Sequence, residues 1–359
     1  MNAFGSLLKR PSTSLVGLDV SASAIKLVEL GQDSRGGWVL ERFASEPLSA
    51  GWITDGNIEK FDEVSAALRR LLRKCGTRAK NAALALPQSA VIAKRMTLPG
   101  HLSEEEMEVQ VESEANHYIP FSLDEVSLDF CVIGPNAKLP SDVDVLLVAS
   151  RKEKVQDMEA LAQSAGLNPV VIDVDVHAAR VAAARAMPRE AGSQQALVAL
   201  IKVEAEGTAL QVLQGDEVLY DGEQGFGGGN QLAQMIARQY GMSLEEAELQ
   251  RQSGDLPADY EVNVLQPFVQ GLAQDIARSL QFFYTSSSYN RVDQVLLFGS
   301  LATVAGLDTA VSRMVGATAH TLNPFEGMTL APSVLKGRLE TDAPAYLEAC
   351  GLAMRRFLS

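Results

Sequence analysis

The chain has 359 residues, 47% hydrophobic and 21% charged, enough for one large or two ordinary domains with a substantial core. Its 31 Lys and Arg stand against 45 Asp and Glu, a formal net charge of −14; such a surface repels nucleic-acid phosphates and anionic lipid, and 6% aromatic residues offer little on which to stack single strands. Three scattered cysteines without a CxxC pair and four scattered histidines (His101, His117, His177, His320) argue against a disulfide framework or a zinc cluster.

The opening Met1–Arg10 is not read as a signal peptide, because its charges Lys9 and Arg10 follow the apolar Phe4, Leu7 and Leu8. It reads as a frayed terminus, the alternative being a small partner- or membrane-touching segment. No apolar run approaches the ~18 residues needed to span a bilayer. The expectation is a soluble, cytoplasmic protein without a transmembrane segment, whose membrane contact is borrowed from a partner.

Leu15 to Leu30 reads as strand, Ser-Ala-Ser turn and strand, with a third strand over Trp38–Phe43. Phe61 to Lys74 carries Phe61, Val64, Leu68, Leu71 and Leu72 on one helical stripe that stops at Cys75-Gly76. Ala82–Leu86 is a buried strand before Pro87. Ser103 with Glu106 predicts a capping box for an acidic helix reaching about His117, broken by Tyr118-Ile-Pro-Phe121. Strands follow over Val126–Val132 and Val143–Ala149, a helix over Lys152–Ala165 stopped by Gly166, a strand over Val170–Val174 and a helix from about His177 to Met187.

Pro188 to Gln195 is the predicted linker. After it the layout recurs: strands at Leu197–Ile201, Leu210–Leu213 and Glu217–Tyr220, then a helix behind a glycine cluster with Leu232, Met235 and Ile236 inward. Helices at about Leu244–Gln252 and Gln266–Tyr284, a strand at Val292–Phe298, a helix after Gly306 and a last helix over about Ala345–Leu358 complete the chain. Two α/β halves of related layout predict a ligand cleft between them.

Five motifs could carry chemistry. Asp19-Val-Ser-Ala-Ser-Ala-Ile-Lys26 is a hairpin of small residues whose backbone N–H groups, with the hydroxyls of Ser21 and Ser23, would let a phosphate approach; Asp19 would hold Mg2+ through water, and Lys26 would reach the anion. On spacing alone it reads equally as a tight hairpin. Lys202-Val-Glu-Ala-Glu-Gly-Thr208 is the equivalent turn of the second half, but Glu204 and Glu206 repel phosphates unless a cation intervenes. Gly225 to Asn230 frees a helix N-terminus for an anion or is a plain helix entry capped by Asn230. No Gly-Lys-Ser/Thr exists, so P-loop chemistry is excluded. Phe298-Gly299 before a loop and helix would let a base lie on the backbone, or is an ordinary βα turn. Asp175 would orient a water beside a phosphate, or caps a helix.

Taken in this order, these turns resemble the actin-like ATPase superfamily. The resemblance narrows to PilM, the cytoplasmic actin-like family of type IV pilus assembly, through Glu114–Phe121 (EANHYIPF), Glu125–Phe130, Leu147–Val155 (LVASRKEKV), Glu223–Asn230, Ser243–Glu248, Ser279–Tyr284 and Asn323–Met328 (NPFEGM). It implies the fold of FtsA, an α/β architecture of two related lobes with subdomains 1A (1–82, completed by about 167–190 and 343–359), 1C (83–166), 2A (193–228 and 291–342) and 2B (229–290). ATP or ADP with Mg2+ would lie in the cleft between the lobes. By that resemblance Asp19, Ser21, Ala22, Ser23 and Lys26 form the first phosphate motif, and Lys202, Glu204, Gly207 and Thr208 stand in the second. Gly228, Gly229 and Asn230 lie near the nucleotide, Glu248 and Arg251 near ribose and adenine, and Gly299 with Ser300 in the adenosine motif. Asp175 matches an acidic residue that orients the catalytic water.

Two departures stand out. The second phosphate motif of relatives reads Asp-x-Gly, where this chain has Lys202 and Glu204, and the second glycine of the adenosine motif is Ser300. Lys202 would neutralise phosphate charge directly, whereas hydrolysis, which needs Mg2+ and water aligned, is put in doubt. The resemblance further implies binding of the cytoplasmic N-terminal peptide of the membrane protein PilN, with Tyr118, Ile119, Pro120 and Phe121 as a candidate groove wall or, equally, a core turn. Other inner-membrane and motor components of the pilus are implied partners, and homo-oligomerisation stays open. The expected role is a nucleotide-binding platform needed for pilus biogenesis and twitching motility. The alternatives are an ATPase whose turnover drives assembly and an FtsA-type division filament.

Overall fold

The computed structural model describes residues 14–187, 196–215, 217–224, 227–334 and 336–358. The expected linker, the opening ten residues and Gly225-Phe226 of the glycine cluster lie outside them.

In chain order come β1 (Leu15–Val20), β2 (Ala24–Gln32), β3 (Trp38–Pro47), the two-residue strands β4 (Ile53–Thr54) and β5 (Asn57–Ile58), α1 (Phe61–Cys75), β6 (Asn81–Leu86), β7 (Val91–Pro99), α2 (Glu104–Ala115), β8 (Val126–Pro135), β9 (Asp142–Arg151), α3 (Lys152–Ser164), β10 (Asn168–Val174) and α4 (Asp175–Ala186). Then follow β11 (Leu197–Val203), β12 (Thr208–Gln214), β13 (Glu217–Gln224), α5 (Gly229–Tyr240), α6 (Leu244–Ser253), α7 (Gln266–Ser286), β14 (Gln294–Phe298), α8 (Leu307–Val315), β15 (Thr318–Thr321), β16 (Thr329–Leu330), α9 (Lys336–Asp342) and α10 (Leu347–Met354).

Local chemistry explains the helix ends. α1 begins with Asp62 and Glu63 and ends with Arg73 and Lys74, complementing its dipole, and left-handed Gly76 closes it by donating to the Leu72 carbonyl. α2 and α6 each start with a reciprocal capping box, Ser103 with Glu106 and Ser243 with Glu246. The larger sheets are ordered β10-β6-β1-β2-β3-β16 and β13-β12-β11-β14-β15.

The chain divides into two compact units: Met1–Lys26, Ala44–Ala178 and Arg355–Ser359 in one, Leu27–Phe43 and Ala179–Met354 in the other. In the first, β1 and β10 run parallel to β6 on either side of it, so the ends of β1 and β10 lie along one sheet edge. Between β6 and β10 the chain inserts the antiparallel sheet β7-β9-β8, whose core holds Met96, Leu98, Val111, Ile119, Val145 and Leu147. The second unit has the antiparallel meander β13-β12-β11 continued by parallel β14 and β15. Its core gathers Ile201, Val212, Leu232, Ile236, Phe268, Leu272, Phe283 and Leu297. Both large sheets follow one scheme: the first strand of a three-strand run pairs in parallel with a later strand, which pairs in parallel with the next.

Three expectations change. β7 occupies a stretch read without structure, although Met96 and Leu98 alternate inward there. A π-helical turn, Glu261–Leu265, precedes α7. The last helix is shorter than expected: Pro344 sits in a 3-10 turn over Ala343–Tyr346, and the α-helix ends at Met354.

Candidate functional site

The first hairpin is closed by its own serine. Both the Ser21 N–H and the Ser21 hydroxyl donate to the Ala24 carbonyl at 3.0 Å, and the Ser23 carbonyl accepts from Leu48 N–H at 2.9 Å. Ser21, Ala22 and Ser23 are half-buried at its tip. Behind them Lys26 Nζ lies 3.1 Å from Asp19 Oδ2, a pair whose side chains are 4% and 8% exposed. Burial of both charges makes each depend on the other. Farther along the same edge, Asp175 Oδ1 accepts from Val176 N–H at 2.7 Å and from Gln88 N–H at 3.0 Å, tying the start of α4 to the chain after β6.

In the second unit three turns meet at the end of β11. Glu204 N–H closes the turn on the Gly207 carbonyl at 3.0 Å, and Thr208 opens β12 with its side chain buried. The first amides of α5 are committed to this turn: Gly229 N–H donates to the Glu204 carbonyl at 3.1 Å and Asn230 N–H to the Ala205 carbonyl at 2.9 Å. The approach is so close that a Cβ on Gly228 would stand 2.4 Å from the Ala205 oxygen. From the other side, Leu301 N–H donates to the Val203 carbonyl at 3.1 Å, and Gly299, at φ +100°, would bring a Cβ to 2.5 Å of that oxygen.

Side chains complete the junction. Glu204 Oε1 accepts from Ser300 N–H at 3.1 Å and Glu204 Oε2 from the Ser300 hydroxyl at 2.5 Å. Two of the three residues that depart from the expected motifs are thus bonded to each other. The third, Lys202, places Nζ 2.6 Å from Glu348 Oε1 of α10, whose side chain is 4% exposed. Sequence reading passed over Glu348. Its signal was a lone carboxylate in the otherwise apolar run Tyr346–Met354, which burial obliges to find a cation.

The remaining candidates lie elsewhere. Glu248 and Arg251 form a bidentate pair one turn apart on α6, at 2.6 and 2.9 Å, and this bond raises the guanidinium pKa. Tyr118 is exposed with Lys94 4.9 Å above its ring, Ile119 is buried in the core of the small sheet, Pro120 is exposed, and Phe121 lies 4.0 Å under the Arg151 guanidinium. Only part of this turn faces outward; the rest holds the small sheet together.

The family model for type IV pilus assembly protein PilM matches residues 17–357. The chain belongs to the PilM family. Among solved structures it is similar to the PilM–PilN type IV pilus biogenesis complex, with 29% identity over 97% of this chain and 100% of that chain and a TM-score of 0.80. It is also similar to the ethanolamine utilization protein EutJ from Carboxydothermus hydrogenoformans (17% identity, 97% and 90% covered, TM-score 0.56) and to a diol dehydratase-reactivating factor in nucleotide-free form (8% identity, 95% and 99% covered, TM-score 0.54). These two share the fold alone. That fold is the actin-like ATPase fold.

Proteins of this fold imply a nucleotide, and the second unit's turns do not fit that group. Gly229 and Asn230 N–H already donate to the neighbouring turn, Lys202 is paired with a buried carboxylate, and the Glu204 carboxylate sits on Ser300. Among the described residues no group of three or more His, Cys, Asp or Glu is arranged to hold a metal ion.

Proposed function

We propose that this PilM-family chain is a platform of the type IV pilus inner-membrane assembly complex that captures a short cytoplasmic segment of a PilN-like membrane protein. One observation carries the reading: the likeness to the PilM–PilN complex runs over the whole of that chain, at 29% identity. Among the described residues no helix is long and apolar enough to cross a membrane, so on this reading membrane attachment comes through the partner.

The outward part of the Tyr118–Phe121 turn suits such a role. An exposed tyrosine under a lysine and a half-buried phenylalanine under an arginine give an extended peptide aromatic anchors beside fixed cations. Capture needs no turnover, and the fit of the second unit's turns favours a platform over a hydrolysing motor. The first hairpin keeps Asp19, Ser21, Ser23 and Lys26, the residues expected on the nucleotide side of the fold.

The test is titration of the full-length protein with a labelled peptide of the cytoplasmic N-terminus of a PilN-like protein from the same organism. Saturable binding, weakened about tenfold by Tyr118→Ala and absent for a scrambled peptide, supports the reading. No binding, together with normal piliation of a deletion strain, sinks it.

A further inference from the structure

We infer that the second unit's phosphate-type turns are latched shut by the chain's own Glu204 carboxylate, seated on Ser300, so that they are held in place without a nucleotide and take no Mg2+-bound triphosphate. The inference is independent of partner capture.

Four observations support it. Glu204 is 9% exposed, and its carboxylate accepts from both the N–H and the hydroxyl of Ser300, the shorter bond at 2.5 Å being charge-assisted. A carboxylate bridging two turns does the work an anionic ligand does in binding both: it satisfies backbone and hydroxyl donors with negative charge. Second, the α5 N-terminus, a natural anion cradle, has its first two amides committed to the Glu204 and Ala205 carbonyls. Third, Lys202 is drawn to buried Glu348 at 2.6 Å, and turning it to a phosphate would break that buried pair. Fourth, Glu204 and Glu206 flank the turn with negative charge, repelling a triphosphate at close range.

The three substitutions are mutually consistent. A glutamate at 204 puts an acceptor where Ser300 has donors, and a lysine at 202 puts a cation where Glu348 lies buried. Each atypical residue has an atypical or otherwise unexplained partner. That is the pattern of a junction rebuilt to stand alone.

The experiment uses the full-length protein. Its melting temperature with and without millimolar Mg2+-ATP or Mg2+-ADP, and the nucleotide released on denaturing the purified protein, are read first. The expected result is a shift below about 1 °C, no carried nucleotide, and no phosphate release above the protein-free blank. The latch is then probed by Ser300→Ala, Glu204→Ala and the double variant. Each single change should lower the melting temperature by roughly 3 °C and the double by little more, because both remove one interaction. A stabilisation of 5 °C or more by Mg2+-ATP, stoichiometric nucleotide in the purified protein, or a double variant that loses the sum of the singles overturns the inference. The nucleotide arm is read on the unmutated chain, so a variant that fails to fold does not blunt it. Peptide capture measured in the same samples separates this inference from the platform reading: loss of capture with no nucleotide response sinks the platform and leaves the latch standing.

Discussion

Asp19 and Lys202 stand at the same place in two sheets of one scheme. Each is the next-to-last residue of the strand that opens a three-strand run, each is followed within two residues by a tight turn, and each strand pairs in parallel with a later one. Their charges are opposite. Asp19 is neutralised within its own hairpin by Lys26, seven residues on, whereas Lys202 is neutralised by Glu348, 146 residues on. The first hairpin carries side chains at every position of its tip, but the second turn is approached so closely by two other turns that glycine is required at 228 and 299. Strand topology therefore fixes where a turn comes, while the charge it carries and the space it leaves are set residue by residue.

The comparison breaks most visibly at the glycines. Gly228→Ala would press a methyl against the Ala205 and Glu204 carbonyl oxygens and the Gly207 nitrogen, all within 2.8 Å and all backbone. Gly299→Ala adds the cost of a side chain at φ +100°. Each should cost about 3 kcal/mol, enough to deplete soluble protein, while Ala22→Ser in the first hairpin should cost under about 0.5 kcal/mol. Denaturant titration of the three variants decides it. A tolerated Gly228→Ala would mean the three turns do not meet as described.

The two lysines sharpen the comparison. Lys26→Met and Lys202→Met each take the paired lysine from a buried carboxylate and should cost about 3 kcal/mol. They should differ in where the damage appears. Glu348 shares α10 with Cys350, a fully buried thiol whose pKa burial pushes up to about 12. At pH 8 that sulfur is almost wholly protonated and sheltered, so iodoacetamide should label exposed Cys131 quickly and Cys350 only when α10 opens. Lys202→Met should speed Cys350 labelling about tenfold relative to Cys131. Lys26→Met should leave that ratio within twofold, and adding Glu348→Leu to Lys202→Met should restore most of the protection. Equal labelling in both lysine variants would show that the damage is global and that the long-range pair has no special hold on α10.

How far the sequence revealed this arrangement depends on range. Elements written in local chemistry were legible: the α1 stripe with Gly76, the Ser103 capping box, the hairpin tip at Ser21–Ser23 and the repeat of a three-strand run. β7 was not, because Pro87 and Pro99 bracket a stretch whose inward alternation is confined to Met96 and Leu98. The positions of the atypical residues were also legible, since Lys202, Glu204 and Ser300 could be matched to motifs one by one. Their meaning was not. Glu204 meets Ser300 across 96 residues and Lys202 meets Glu348 across 146, and no periodicity or spacing encodes a pairing at that distance. Asp175 showed the opposite difficulty. Its place at a helix start was predictable and its bond to the adjacent Val176 N–H is local, while its second bond, to Gln88, appears only when β6 and β10 lie side by side.

The smallest expected effect is the control for the larger ones. Each unit contains a capping box of the same geometry: Ser103 and Ser243 each donate N–H to a glutamate at 2.8 Å and accept from its N–H at 3.2 Å. In both, the serine N–H and then the serine hydroxyl hold the glutamate pKa below its ordinary value of 4.5. A carboxyl whose pKa is lower folded than unfolded stabilises above its unfolded value and loses that contribution as pH falls through the folded one. Ser103→Ala and Ser243→Ala should each cost about 1 kcal/mol. Glu106→Gln and Glu246→Gln should each be destabilising at pH 7, with the deficit shrinking together as the pH drops below about 4.5. Amide exchange in the first turns of α2 and α6 reads both effects locally. Matched values would establish that equal local chemistry gives equal stability in either unit, so that the unequal responses of the two turns are assignable to their residues; a twofold mismatch would trace those responses to the units' own stabilities instead.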